Sequence, residues 1–242
     1  MKHLPYGLQE FSKIIENNYL YVDKTQHIYE LASTYGYYFL SRPRRFGKSL
    51  LVNTMKELFL GNKELFKGLW IYDKWEDWTS YPVIKLSFAS LDYANAGLPK
   101  VISDEMDFVA SGYNLQLKAQ SYAAKFRELI RKLGETEQKV VILIDEYDKP
   151  IIDYMDDIPQ AEKHRDVLKN FYSVIKDSDS YIRFFFVTGV SKFSQVSIFS
   201  DLNNLMDITL EPAYATLAGW TEEEVQHYFP DYIERLEKEF QH

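Results

Sequence analysis

Ser41-Arg42-Pro43-Arg44-Arg45-Phe46-Gly47-Lys48-Ser49 is the stretch on which the reading of this chain turns. Before it stands Tyr37-Tyr38-Phe39-Leu40, a short apolar aromatic run suited to a buried strand. After it, Leu50, Leu51, Met55, Leu58 and Phe59 recur at helical spacing, and Gly61 is placed to cap the helix. A strand that yields to a helix through a Gly-Lys-Ser turn is the setting of a phosphate-binding loop. Gly47 allows close backbone approach, Lys48 carries a point charge to the terminal phosphates, and Ser49 offers a hydroxyl to Mg²⁺. The helix N-terminus adds free N–H groups and the positive end of its dipole.

Arg42 stands where the G-x-x-x-x-G-K-[ST] pattern has its first glycine, and Pro43 removes a backbone donor. The guanidinium groups of Arg42, Arg44 and Arg45 either replace that lost donation or meet acidic residues of a neighbouring subunit. A solvated surface loop is the plainer alternative. The expected nucleotide contacts run through Arg42, Pro43, Arg44, Arg45, Phe46, Gly47, Lys48, Ser49 and Leu50.

Outward from the loop, Lys139-Val140-Val141-Ile142-Leu143-Ile144 is the continuous apolar run of a strand covered on both faces, and it ends in Asp145-Glu146. Asp145 is expected to hold Mg²⁺ through its water shell. Glu146 is expected to polarise the attacking water as general base, with Lys48 stabilising the transferred phosphoryl group. The bland reading is that a chain leaving a core must turn polar. Asp148 is read as supporting the metal or capping the next turn. Thr188, at the end of a strand spanning Ile182 to Val187, is expected either to sense the γ-phosphate or to make a structural hydrogen bond, with Ser191 and Lys192 weaker candidates.

Pro82 to Phe88 reads as another strand, Pro99 to Leu133 is helical in pattern, and a helix is expected from Glu162 to Lys176. Ahead of the loop, Leu8, Phe11, Ile14 and Ile15 predict a short amphipathic helix. Asp23, with Gln26 three residues on, predicts a capping box opening a helix to about Ser33. Thr221 and Glu224 predict a second capping box, leading into a charged helix with Val225, Tyr228, Phe229, Ile233, Leu236 and Phe240 on its apolar face. Strands alternating with helices imply parallel pairing, hence an α/β three-layer P-loop NTPase fold with ligands at the carboxyl ends of the strands. The expected division is a P-loop domain over residues 1–211 and the start of a C-terminal helical lid over 212–242.

Composition bounds the function. The 242 residues carry a formal net charge of −8, so direct nucleic-acid binding is not expected. No cysteine occurs, which excludes disulfides, thiolate metal sites and thiol nucleophiles. Met1 to Gly7 lacks the apolar core of a signal peptide, and no apolar run approaches a membrane span, so a cytoplasmic protein without membrane contact is expected.

Tyr19-Leu20-Tyr21-Val22-Asp23-Lys24-Thr25, the arginine-rich loop, Asp145-Glu146-Tyr147-Asp148-Lys149-Pro150 and Thr188-Gly189-Val190-Ser191-Lys192-Phe193-Ser194 together resemble the prokaryotic AAA-ATPase-like family. The resemblance covers almost the whole chain and accounts for the missing glycine, since that family's loop reads Arg-Pro-Arg-Arg-Phe-Gly-Lys-Ser. It implies an ATPase-type domain with Glu146 as the catalytic glutamate. ATP and Mg²⁺ are the implied ligands, ATP or ADP the nucleotide partner and a homo-oligomer a possible assembly. No guanine-reading Asn-Lys-x-Asp motif stands against ATP. By the same analogy Leu4 to Gly7 lines the adenine pocket with Tyr6 as an aromatic wall, the alternative being a core tyrosine. Members commonly carry a C-terminal nuclease-like domain of the PD-(D/E)XK type, which is not expected within these 242 residues. The leading expectation is an ATP-hydrolysing switch for an attached effector. The others are a nucleotide-responsive module with negligible turnover and a P-loop kinase.

Overall fold

The computed structural model describes residues 1–192 and 198–240, the side chain of Phe240 excepted. Five strands, β1 (Gly36–Ser41), β2 (Val83–Ser87), β3 (Val140–Asp145), β4 (Ile182–Gly189) and β5 (Leu205–Asp207), form one sheet in the order β2-β3-β4-β1-β5. Every pairing is parallel. Parallel neighbours require long crossovers, which helices supply. In chain order these are α1 (Phe11–Glu16), α2 (Thr25–Ala32), α3 (Lys48–Phe59), α4 (Tyr93–Ala96), α5 (Leu98–Gly112), α6 (Tyr122–Gly134), α7 (Lys149–Ile152), α8 (Ile158–Asp177), α9 (Glu222–Tyr228) and α10 (Pro230–Phe240).

Successive strand residues point to opposite faces, and that alternation divides the interior in two. Ile142 and Ile144 of β3, with Phe185 and Val187 of β4, pack under α5, α6 and α8. Val141 and Leu143, with Phe184 and Phe186, pack under α1, α2 and α3. The result is the three-layer α/β arrangement expected from the sequence. One register shift, between Val140 and Val141, changes the phase of β4. Arg183 there donates to the carbonyls of Thr34 and Ala32 at 2.6 and 2.8 Å, tying down the end of α2.

Several boundaries differ from expectation for local reasons. The Pro99–Leu133 stretch is two helices, because the chain breaks at Tyr113 and restarts at Ser121, whose hydroxyl accepts from the Ala124 N–H. The helix expected from Glu162 starts a turn earlier, where Asp157 caps it through the Gln160 N–H. Asp23 does not form a capping box with Gln26. Its Oδ1 accepts from the N–H of Thr25 at 2.8 Å and its Oδ2 from the N–H of Trp70 at 2.7 Å. Lys24 therefore occupies the cap, and Gln26 falls one position short of the site from which a capping-box partner reaches back. The Thr221–Glu224 capping box forms as read. β5 was not legible, since three residues carry no periodic signal. Phe193 and Ser194 lie outside the described residues.

Candidate functional site

The strand order sets the carboxyl ends of β1, β4 and β3 side by side, so the loop after β1 and the acids after β3 share one rim. The loop is anchored at its start. The Arg42 N–H donates to Gly189 O at 3.2 Å, the Ser41 hydroxyl to Val190 O at 2.9 Å, and the Ser41 N–H to the Thr209 hydroxyl at 3.0 Å. Two of its residues are left-handed, Arg45 at φ 67° and Gly47 at φ 84°. For Gly47 this geometry costs nothing, and a Cβ there would meet no atom within 4 Å, so its backbone stays open to a ligand.

α3 begins at Lys48, which is only 5% exposed. Its ammonium donates to the carbonyls of Arg42 and Pro43, each at 2.9 Å. Burial lowers its pKa, while the charges of Asp145, Glu146 and Asp148 act the other way, which puts the lysine and the acidic strand end in one field. Burial raises the Asp145 carboxyl pKa, and the neighbouring Ser49 hydroxyl is the first of the groups that oppose it, ahead of Lys48 and Lys85. Asp145 Oδ1 is buried and accepts no hydrogen bond from the described residues. A hydroxyl beside a carboxylate with one uncommitted oxygen is a donor set that suits a hard cation, and Mg²⁺ takes few protein ligands when phosphates supply the rest.

Glu146 follows at φ 53°, a left-handed conformation that a non-glycine residue holds only where its surroundings impose it. Burial and then the neighbouring Asp145 charge raise its carboxyl pKa, with Lys149, Lys48 and Arg44 opposing. Asp148 is a strut. Its Oδ2 accepts from the N–H groups of Val190 and Ser191 at 3.0 and 2.6 Å, joining the β3 end to the β4 end. Gly189 is required beside it, since a Cβ there would stand 2.5 Å from the Tyr147 ring.

A family pattern whose description is "Predicted AAA-ATPase" matches residues 5–199. The chain belongs to that family. Membership of the AAA-ATPase-like family supports an ATP-binding, ATPase-like function. An uncharacterized protein in the vnfD 5′ region of Azotobacter chroococcum mcd 1 is 44% identical over 242 residues, covering 98% of this chain and 47% of the relative. The chain thus spans about half the length of that relative. No solved structure matches it, and among the described residues no helix is long and apolar enough to cross a membrane.

Not every expected residue of this AAA-ATPase-like chain faces the rim freely. Arg42 donates to the carbonyls of Thr209 and Tyr214 at 2.6 and 3.2 Å, so its guanidinium fastens the segment after β5 beneath the loop. Thr188 is fully buried and gives its hydroxyl proton to Leu40 O at 2.7 Å, which is the structural alternative of the two readings. Lys192 pairs with Asp207 at 2.9 Å. Pro43, Arg44, Arg45 and Phe46 are exposed.

Beside the loop lies an apolar cavity of about 420 Å³. Leu4, Tyr6, Gly47, Leu50, Leu217, Trp220 and Phe229 line it, together with Lys24. Tyr6 is 98% exposed, so the core alternative for it falls. Leu217 to Trp220 were missed as site residues. Gly219 donates its N–H to Phe46 O at 2.9 Å, a contact that brings the C-terminal segment to the loop and that no local pattern announces.

Proposed function

We propose that this chain binds ATP with Mg²⁺ at the β1–α3 loop and hydrolyses it, serving as a switch or driver for an attached effector. The observation that carries the reading is the meeting of Lys48, Ser49 and Asp145, distant in sequence, at one edge of the sheet. Lys48, the loop N–H groups, Arg44 and Arg45 would hold the phosphates. Ser49 and Asp145 would hold Mg²⁺, which when bound supplies charge neutralisation across the terminal phosphates. The base would enter the apolar cavity between Tyr6 and Trp220. Glu146 takes the role of general base: it orients a water on the γ-phosphorus and accepts its proton as the bond to ADP breaks. Thr188 serves by fixing the strand end that carries the neighbouring loop.

A second reading has one observation in its favour. The Lys48 ammonium sits on two loop carbonyls that a phosphate must displace, which suits a module that binds nucleotide and turns it over negligibly. Calorimetric titration with ATP and Mg²⁺, joined to a phosphate-release assay, separates the two. Hydrolysis predicts turnover that falls about 10²- to 10⁴-fold in Glu146→Gln, the share a positioned base supplies, with binding retained. The binding module predicts tight binding and no release in the parent. If Lys48→Ala binds as the parent does, both readings fail.

A further inference from the structure

Beyond Glu146 the chain turns at once into α7, with the Lys149 N–H donating to Glu146 O at 3.1 Å. Glu146 and Lys149 thus share one turn. Of the cations near the Glu146 carboxylate, Lys149 acts on it most strongly, ahead of Lys48 and Arg44. An ion pair between them would bind up the group assigned to activate water. Lys149 is held elsewhere: its ammonium donates to Asp153 Oδ2 at 2.6 Å, and the same oxygen accepts from the Tyr93 hydroxyl at 2.6 Å.

That arrangement is not explained by helix stability. α7 has four residues, and a lysine placed N-terminal to its acidic partner is the less favourable order at this spacing. The acceptor is fixed from outside the helix. Tyr93 is buried, its ring meeting His164 edge-on at a centroid distance of 5.8 Å and Tyr154 at a tilt at 6.5 Å. His164 in turn is bonded through Nδ1 to Pro150 O at 2.6 Å. Asp153 is thereby pinned between a rigid phenol and the lysine. Arg44 contributes a field at both Glu146 and Asp153, and no hydrogen bond or ion pair engages it among the described residues.

We propose that Asp153 is a positioning residue that retains Lys149 and so keeps the Glu146 carboxylate free for the attacking water. The inference rests on the hydrolytic reading of Glu146, but its contact geometry does not depend on turnover. Without Asp153, Lys149 turns to Glu146, the carboxylate of the same turn that already feels its charge.

Two measurements test this on the full chain. In phosphate release, Asp153→Asn lowers kcat about 10- to 100-fold, within what a positioned base contributes, and leaves KM near the parental value. Adding Lys149→Gln to Asp153→Asn restores kcat to within about threefold, since the competing cation is gone. A double variant as slow as Asp153→Asn alone, or an Asp153→Asn variant at the parental rate, overturns the proposal. Acetylation of Lys149, followed by mass spectrometry, reads the same competition without turnover. Lys149 stays protected in the parent and in Asp153→Asn, and becomes reactive only when Glu146→Gln is added to Asp153→Asn. If Asp153→Asn alone makes Lys149 as reactive as that double variant does, the lysine has not moved to Glu146 and the inference is wrong. Failure of hydrolysis in the parent would instead strike the functional reading, and the acetylation pattern would still decide the contact.

Discussion

The rim at β1 and β3 reaches the apolar cavity through the β1–α3 loop and the helix pair α9–α10 through Phe229 at its junction, yet the two are held by different means. The rim stands on two extensive apolar layers, and its polar groups are anchored to backbone: Lys48 on two carbonyls, Asp148 on two N–H groups, Arg42 on two more carbonyls. The helix pair rests on a satellite cluster whose buried members are Leu20, Val22 and Phe229. Across that seam runs one ion pair among the described residues, Lys24 to Glu224 at 2.5 Å. Stability in a folded chain is local as well as global, and regions with few buried apolar contacts open first. The nucleotide site proposed here would have one firm wall and one lightly held wall, and could admit its ligand without disturbing the sheet.

Acid separates the two walls further, because their carboxylates are shifted in opposite directions. At the rim, burial raises Asp145, Glu146 and Asp148 above the ordinary carboxylate range. Their folded forms hold protons more tightly than the unfolded chain, so over that window stability rises as pH falls. Glu224 is the reverse. Burial alone would raise it, but the Lys24 ammonium and the Thr221 N–H outweigh burial and hold it low. Its contribution is present above the unfolded glutamate pKa and is lost as pH falls through the lower folded value.

The sharpest way to break the contrast is to wound the firm side. Ile142→Ala, at a fully buried position of β3, is expected to cost about 2–5 kcal/mol of global stability, read by denaturant unfolding. Glu224→Ala, which strips the partner from a largely buried lysine but at a seam that water reaches, is expected to cost about 1–2 kcal/mol. Hydrogen exchange should place that loss in residues 221–240 and spare β3. Equal loss of protection in both regions would make the molecule one cooperative unit and dissolve the comparison. Trp220→Ala removes an exposed aromatic wall of the cavity and is expected to weaken ATP by about 0.5–1.5 kcal/mol in calorimetry, with the metal dependence unchanged. The smallest effect is the acid one. As pH falls from about 4, near the ordinary glutamate value, through the lower folded value of Glu224, exchange in α9 and α10 should quicken relative to exchange in β3. A uniform change across both would remove Glu224 as the cause.

Much of this was legible from residues alone, and the reasons are local. Val140 to Ile144 reads as a buried strand, Gly47-Lys48-Ser49 as the opening of a helix after one, and Thr221 with Glu224 as a helix start, because each depends on neighbours a few residues away. The three-layer α/β fold follows from the alternation of such elements. What the tertiary structure alone decided are the partners of long side chains across sequence. Arg42 looked like a phosphate ligand and is bound to Thr209 and Tyr214. Asp23 looked like a helix cap and also holds Trp70. Tyr6 and Trp220, 214 positions apart by their numbers (220 less 6), line one cavity. Periodicity and propensity report the backbone within a turn or a strand, whereas a guanidinium or an indole finds its place only when the sheet order has brought separate segments together.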